Sequence, residues 1–170
     1  MKFSKTDFGY DLPSELIAKY PSQQRTESKT LILDNKFTIQ FFKDTLNHFA
    51  EYDLVVLNET KVRPARILLQ KDSGGYVEIL ILQKTTKYRA VCLAKGLNRK
   101  KTNQTLYAPN FPVKIKIITN GSKDIEIEFD QDIDQLCTEI GQMPIPPYLG
   151  REAEKIDIER YQTVFANDER

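Results

Sequence analysis

In 170 residues the sequence has one histidine, His48, and two cysteines, Cys92 and Cys137. A single histidine excludes a multi-histidine metal centre. The cysteines lack CxxC spacing and sit in apolar settings, AVCLA and QLCTEI. Each reads as a buried free thiol, and no Cys/His cluster suggests zinc. No apolar run approaches the length needed to cross a bilayer. The N-terminus, MKFSKTDFGYDL, lacks the apolar stretch of a secretory signal, so a cytoplasmic protein is expected. The formal net charge is +1. That gives no global field for nucleic acid, and any RNA contact has to come from a local basic patch. P-loop, GxGxxG, nucleophile-elbow and internal-repeat patterns are all missing.

What is present suits a folded protein of one or two small domains: 40% of residues are hydrophobic and the mean hydropathy is −0.48. Phe8–Tyr20 reads as a helix, with Asp11 or Ser14 as N-cap, Pro13 early, Leu16, Ile17 and Tyr20 at helical spacing, and Pro21 as the stop. Thr30–Leu33 reads as a strand closed by Asp34-Asn35. Phe41–Phe49 reads as an amphipathic helix with Phe42, Leu46 and Phe49 on one stripe. Asp53–Leu57 reads as a strand covered on both faces. That alternation predicts an α/β layer.

Beyond Arg63 the texture changes. Ala65–Gln70, Tyr76–Gln83, Tyr88–Leu93, Val113–Ile118 and Ile125–Phe129 are short runs rich in Ile, Leu and Val, several alternating as in KIKII and IEIEF. Turn signals separate them: Ser73-Gly74-Gly75, Lys95-Gly96, Pro109-Asn110 and Asn120-Gly121-Ser122. Asn120-Gly121 is the best candidate for a tight hairpin. A small antiparallel barrel or sandwich is expected over 67–130, with Asn98–Thr105 as a loop between strands. Asp132–Ile140 returns to helical spacing, with Gly141 as its C′ residue. The proline-rich GQMPIPPYLGR (Gly141–Arg151) reads as stiff and extended.

The segment with the densest chemistry is NETKVRPAR, residues 58–66. Pro64 fixes its own φ near roughly −65° and biases Arg63 toward an extended conformation. Arg63 and Arg66 are then suited to hold a phosphate or carboxylate in fixed geometry. Asn58 and Thr60 are placed to orient the loop or meet a ligand. The competing reading is a solvated crossover with ordinary surface charge. The glycines of KDSGGYVE serve a turn or a close backbone approach. MPIPPY reads as a pocket wall or a connector. Tyr161 and Gln162 suit stacking on and reading of a base, as at single-stranded RNA sites, though YQTVF also reads as a strand edge. The cluster Asn98-Arg99-Lys100-Lys101 has the composition of a phosphate-contacting patch or a solvated loop.

Three segments taken together carry a resemblance: DFGYDLPSELIAKYPSQQR (7–25), DLVVLNETKVRPARI…SGGYVEILIL (53–82) and GQMPIPPYLGR…YQTVFA (141–166). The chain resembles the S-adenosylmethionine:tRNA ribosyltransferase-isomerase family of queuosine biosynthesis over essentially its whole length. The NxTKVxPAR and MPIPPY segments are the specific ones. The chain departs mildly from the pattern at Lys29-Thr30, where Arg-Leu is usual, and at Leu149, where Ile is usual.

The resemblance implies a mixed α+β fold: a partial α/β domain with an inserted small antiparallel β-barrel. Residues 1–66 would begin the α/β domain, 67–130 form the barrel, and 131–170 return. Family members are considerably longer, so the chain is expected to be truncated. The implied reaction transfers and isomerises the ribosyl part of S-adenosylmethionine onto 7-aminomethyl-7-deazaguanine in tRNA. It gives epoxyqueuosine, adenine and methionine, with no metal and no bound prosthetic group. The implied partners are that tRNA and S-adenosylmethionine as co-substrate, without a membrane, in a protein that is monomeric at full length. Arg63 and Arg66 are the expected anion contacts, Arg66 first because Arg63 falls at a variable position of the pattern. Asn58 and Thr60 would shape the same corner, and Tyr148, Arg151, Tyr161 and Gln162 are candidates for base or ribose. No general base is named, although Glu59 and Glu78 are available. Two alternatives stand beside the enzyme: a non-catalytic tRNA-binding remnant, and one subunit of a split enzyme.

Overall fold

The computed structural model describes residues 3–51, 53–109 and 111–167. Two compact units divide the chain: Met1–Leu57 with Pro146–Glu152, and Asn58–Ile145 with Ala153–Arg170.

The second unit is a closed antiparallel barrel. Its strands are β3 (Arg66–Gln70), β4 (Tyr76–Lys84), β5 (Arg89–Lys95), β6 (Asn103–Tyr107), β7 (Pro112–Asn120) and β8 (Ile125–Phe129), with β1 (Lys29–Leu33) and β2 (Phe37–Phe41) in the first unit. The order around the barrel is β3-β4-β5-β8-β7-β6, and it closes where Gln70 of β3 meets Tyr107 of β6. Closure removes the exposed edges that an open sheet would present. Buried and more exposed residues alternate along the strands, most regularly in β7 and β8, so register decides what is buried. Ile67, Leu69, Val77, Ile79, Ile125 and Ile127 point inward and are at most 1% exposed. Fully burying each such side chain contributes about 1.5–3 kcal/mol. Register shifts at Ile81/Gln83 of β4 and Ile117/Thr119 of β7 mark bulges, which supply the bending a small closed barrel requires.

Helix α1 (Ile133–Ile140) adds Ile133 and Leu136 to the same core. Its N-cap is Asp132, whose side chain accepts from the Asp134 amide at 2.9 Å. A two-residue strand, β9 (Gly141–Gln142), follows at once and pairs with β3. Helix α2 (Lys155–Arg160) carries a capping box between Glu154 and the buried Asp157.

The first unit is different. Strands β1 (Lys29–Leu33) and β2 (Phe37–Phe41) form a two-stranded antiparallel sheet, and 3₁₀ turns span Lys5–Phe8, Ser14–Leu16, Arg25–Glu27 and Phe42–His48.

Several sequence expectations are corrected. The expected helix over 8–20 is absent: Phe8 ends the 3₁₀ turn Lys5–Phe8, the rest of the range holds the single 3₁₀ turn Ser14–Leu16, and Pro13, not Asp11 or Ser14, occupies the cap of that turn. The expected helix over 41–49 is a 3₁₀ segment whose first expected residue belongs to β2, a strand the sequence reading overlooked. Short helices are marginal unless an apolar face packs, and here Leu16 and Leu46 are each 71% exposed. Asp53–Leu57 forms no strand; Leu54 is 90% exposed and no neighbouring strand takes its backbone bonds. Asn103–Thr105 is strand rather than loop, with Gln104 turned inward and its amide donating to the carbonyls of Asn98 and Lys101.

At the hairpin between β7 and β8 the loop is Gly121–Asp124, and neither Asn120 nor Gly121 has a positive φ, so it is not a two-residue turn. Gly141 is extended (φ −69°, ψ 143°) rather than a left-handed cap. YQTVF forms a turn after α2, not a strand. The Pro109-Asn110 turn falls partly on Asn110, outside the described residues. A mixed α/β class therefore fits only loosely: the described residues are mostly β, with a closed six-stranded barrel and few helices.

Candidate functional site

The crossover 58–66 enters the barrel at β3, and two sequence-distant segments, 141–142 and 162–167, fasten it. Asn58 Oδ1 accepts from the Thr60 amide at 2.9 Å, an Asx turn that sets the start of the loop. Gln162 then acts as a substitute strand for Val62: its Oε1 accepts from the Val62 amide at 2.8 Å, and its Nε2 donates to the Val62 carbonyl at 2.6 Å. The Asn167 amide donates to the Glu59 carbonyl at 3.0 Å. β9 pairs Gly141 with Ile67 and Gln142 with Arg66. A Cβ on Gly141 would stand 2.0 Å from the Pro64 carbonyl oxygen and 2.3 Å from that of Cys137. Only glycine lets the helix end and the crossover approach this closely.

The two arginines are both held by carboxylates. Arg66 donates from Nε and Nη2 to Glu78 Oε1 and Oε2 at 2.9 and 3.3 Å, a fork across β3 and β4. That bond holds the Glu78 carboxyl below the usual range, against the opposing effect of burial. Arg63 Nη2 donates to Asp134 Oδ1 at 2.6 Å, while Lys84 Nζ donates to Asp134 Oδ2. The Lys84 bond first, then the Arg63 bond, lowers the Asp134 carboxyl. Arg63, Lys84 and Asp134 line a cleft of about 360 Å³ whose walls include Lys61, Leu80 and Leu82. Cys137 also lines it, but burial pushes its thiol up, which disfavours the nucleophilic thiolate. Cys92, inside the barrel, is pushed up to about 12 by burial. Both thiols are free and buried, as their apolar settings predicted. Among the described residues no group of three or more His, Cys, Asp and Glu side chains could hold a metal ion, and no helix is long and apolar enough to cross a membrane.

Of the eight candidate residues, Asn58, Thr60, Arg63, Arg66 and Gln162 therefore gather at the crossover. Tyr161, 37% exposed, immediately precedes Gln162 in the same unit. The Gln162 amide is spent on Val62 rather than presented to a base. Tyr148 and Arg151 belong to the first unit. There Arg151 lies over the Tyr20 ring, 4.4 Å from its centroid, and donates to the Lys19 carbonyl at 2.9 Å, while Tyr148 is exposed. Lys84 and Asp134 were not anticipated. They are far apart in sequence from the crossover and from each other, and neither sits in a local pattern that marks it.

A family model described as "Queuosine biosynthesis protein" matches residues 5–170. The S-adenosylmethionine:tRNA ribosyltransferase-isomerase of Acinetobacter baumannii strain SDF is 43% identical over 171 residues, covering 97% of this chain and 48% of that protein. The protein of the same name from Syntrophomonas wolfei is 38% identical over 164 residues, covering 92% of this chain and 47% of its own length. A crystal structure of an S-adenosylmethionine tRNA ribosyltransferase from Thermotoga maritima has 28% identity and a TM-score of 0.39, covering 80% of this chain and 48% of that one. The chain spans about half the length of the curated relatives it matches. With the family model matched from residue 5 to residue 170, the chain belongs to the queuosine biosynthesis protein family.

Proposed function

We propose that this protein acts in the transfer and isomerisation of the ribosyl moiety of S-adenosylmethionine onto 7-aminomethyl-7-deazaguanine in tRNA. The observation that carries this reading is the convergence of two of the three resemblance-bearing segments, 53–82 and 141–166, on one crossover. NETKVRPAR, the glycine that opens GQMPIPPY, and Gln162 of YQTVFA fasten the same few residues. Residues 1–66 and 131–170 would belong to one domain and 67–130 to the inserted barrel. S-adenosylmethionine serves as co-substrate rather than as a resident cofactor.

In this reading the sulfonium acidifies the C5′ protons, and a general base removes one. The resulting carbanion expels the ring oxygen from C4′, and that oxygen becomes the C1′ aldehyde as adenine leaves and takes up a proton. The aminomethyl nitrogen adds to the vinyl sulfonium at C4′ and gives up a proton. The carbon beside sulfur closes on the aldehyde, and the alkoxide so formed displaces methionine, which leaves with the C–S electrons, to give the epoxide. The target base, taken out of its stack, is held by polar side chains. Arg66, anchored through Nε and Nη2, offers Nη1 to an anion in fixed geometry. Arg63 presents a second guanidinium. Asn58 and Thr60 set the loop that carries both, and Gln162 positions it through Val62. Tyr148, Arg151 and Tyr161 are the candidates for base or ribose contact.

The test is a chimera in which this chain replaces the matching half of the Acinetobacter baumannii relative. It is assayed for adenine release from S-adenosylmethionine with tRNA carrying the acceptor base. Adenine release is expected, and Arg66→Ala should lower it about tenfold, equivalent to about 1.4 kcal/mol. A folded chimera that binds the tRNA and releases no adenine overturns the reading in favour of a non-catalytic RNA-binding module.

A further inference from the structure

Asn120-Gly121 has the sequence of a tight turn, and the fold does not use it as one. Asn120 is the last residue of β7, paired with Ile125 across the sheet, and the register shift between Ile117 and Thr119 lies just before it. Residues 121–124 close the hairpin and are exposed, as is Asn120. Gly121 serves close approach: an added Cβ would stand 2.5 Å from Asp124 Oδ1 and 2.9 Å from the Asp124 carbonyl oxygen. What the pair still carries is chemistry. An asparagine side chain is an electrophile for the peptide nitrogen that follows it, and a Cβ on the following residue hinders that attack. Gly121 has none. No other asparagine in the sequence is followed by glycine.

Hydrogen bonding sorts the asparagines further. Asn58 Oδ1 accepts from the Thr60 amide at 2.9 Å and Asn98 Oδ1 from the Lys100 amide at 3.1 Å, so Asx turns hold both side-chain carbonyls. Asn120 is tied by its nitrogen instead: Nδ2 donates to the Arg99 carbonyl at 3.2 Å. Among the described residues no acceptor takes the Gly121 amide proton, which leaves it open to solvent base. Arg99 Nη1 donates to the Gly121 carbonyl at 3.0 Å and Nη2 to the Lys123 carbonyl at 3.3 Å. The guanidinium is therefore bound to the residue whose nitrogen must lose a proton, and positive charge favours the anion formed there.

We propose that Asn120 is a self-modification site, converting through a cyclic imide with Gly121 to isoaspartate. The Gly121 nitrogen gives up its proton and bonds to Asn120 Cγ. The Cγ–Nδ2 bond breaks, and the side-chain nitrogen takes up a proton and leaves as ammonia. Water then opens the imide. Opening at the former side-chain carbonyl gives aspartate; opening at the main-chain carbonyl gives isoaspartate, with the chain running through Cβ. Water is consumed and ammonia released, and no oxidant or reductant enters. The new linkage adds a methylene to the main chain where β7 meets the loop, which pulls residue 120 out of its pairing with Ile125. The carboxylate replaces the Nδ2 donor to the Arg99 carbonyl and competes with the Gly121 and Lys123 carbonyls for the Arg99 guanidinium. The product is a hairpin end latched differently and carrying an added negative charge.

The experiment is incubation of the folded 170-residue chain in mildly alkaline buffer, followed by proteolysis and mass spectrometry, with electron-transfer fragmentation to separate isoaspartate from aspartate. The peptide spanning Asn120 should gain the mass of an amide-to-acid exchange at least about tenfold faster than the peptides spanning Asn58 and Asn98. Isoaspartate should be the major product. Asn120→Gln keeps an amide and keeps Gly121 but requires a larger ring, and should slow conversion at least about tenfold. It is a cleaner control than Gly121→Ala, whose Cβ would disturb the loop itself. Far-UV circular dichroism checks that the barrel persists. Equal rates at Asn58, Asn98 and Asn120 overturn the proposal. So does aspartate without isoaspartate, an unslowed Asn120→Gln protein, or conversion seen in urea and absent from the folded chain. None of these readouts depends on adenine release, so the site stands or falls apart from the proposed reaction.

Discussion

The barrel and the N-terminal unit are built from similarly apolar sequence and end differently. In the barrel, Ile67, Val77, Ile79 and Ile127 are fully buried. In residues 3–57 no described residue is buried, and Phe37 at 79%, Ile39 at 69% and Val56 at 85% remain exposed. The contrast shows that hydrophobic pattern sets which residues share a face, while burial needs a second layer to receive that face. The barrel supplies its own second layer by closing on itself. Strands β1 and β2 make a two-stranded ribbon, a form that is marginal alone in water.

The widest separation between the two regions should come from equivalent truncations. Ile79→Ala removes a side chain with no exposure and should cost about 2–5 kcal/mol. Leu54→Ala, at 90% exposure, should stay within about 0.5 kcal/mol. Urea unfolding followed by circular dichroism reads both, and comparable losses would break the contrast. Next in size is Gly141→Ala. The added Cβ would meet two carbonyl oxygens at 2.0 and 2.3 Å, both belonging to backbone that cannot swing aside like a flexible side chain. A loss of about 3 kcal/mol is expected, at the upper end of overpacking costs. A melting temperature equal to that of the parent would mean that the crossover yields more easily than its packing implies.

The same contrast decides what was legible in the sequence. IEIEF and KIKII alternate with period two, and the barrel keeps both that period and the inward face it predicts, with Ile125, Ile127 and Phe129 buried. Asp132–Ile140 was readable as a helix from its apolar spacing, and Ile133 and Leu136 are buried as that spacing requires. Phe42, Leu46 and Phe49 do lie at helical spacing, yet no packed surface rewards an α-helix there, so the spacing misled. FTIQF was overlooked as a strand because its aromatic end merged with the expected helix. At the site, the crossover stood out because Lys61, Arg63 and Arg66 fall close together in one short segment. Lys84 and Asp134 meet there only through the register of β4 and the position of α1, which no local window contains. Gly141 was noticed for the wrong reason: its role is close approach, not a left-handed cap.

Gln162 offers a finer probe of how the barrel unit holds its entry segment. Gln162→Ala leaves the Val62 amide and carbonyl without their side-chain partners, which should cost about 1–3 kcal/mol. Gln162→Glu still accepts from the Val62 amide but places a carboxylate against the Val62 carbonyl. It should therefore recover only part of the loss. Hydrogen exchange at the Val62 amide should accelerate most in the alanine variant. Equal protection in all three proteins would show that the clamp contributes little to the crossover.

The smallest expected effect is electrostatic, and its sign is fixed by the direction of the shift. The Arg66 bond depresses the Glu78 carboxyl in the folded protein below its ordinary 4.5. The unfolded chain therefore takes up a proton first as pH falls. The contribution of the pair to stability is fully present above 4.5 and disappears as pH drops through the folded value. The Glu78 side chain is 35% exposed, so the pair should contribute no more than about 1 kcal/mol. Asp132 and Asp134 are lowered in the same direction by their own partners. Glu78→Gln should therefore flatten only part of the fall in urea midpoint as pH drops below 4.5. A variant whose midpoint falls as steeply as the parent's would place the acid sensitivity of the barrel at the Asp132 and Asp134 pairs of α1 instead of at the β3–β4 fork. The Lys84 and Lys87 partners of those two carboxylates would then be the next to neutralise.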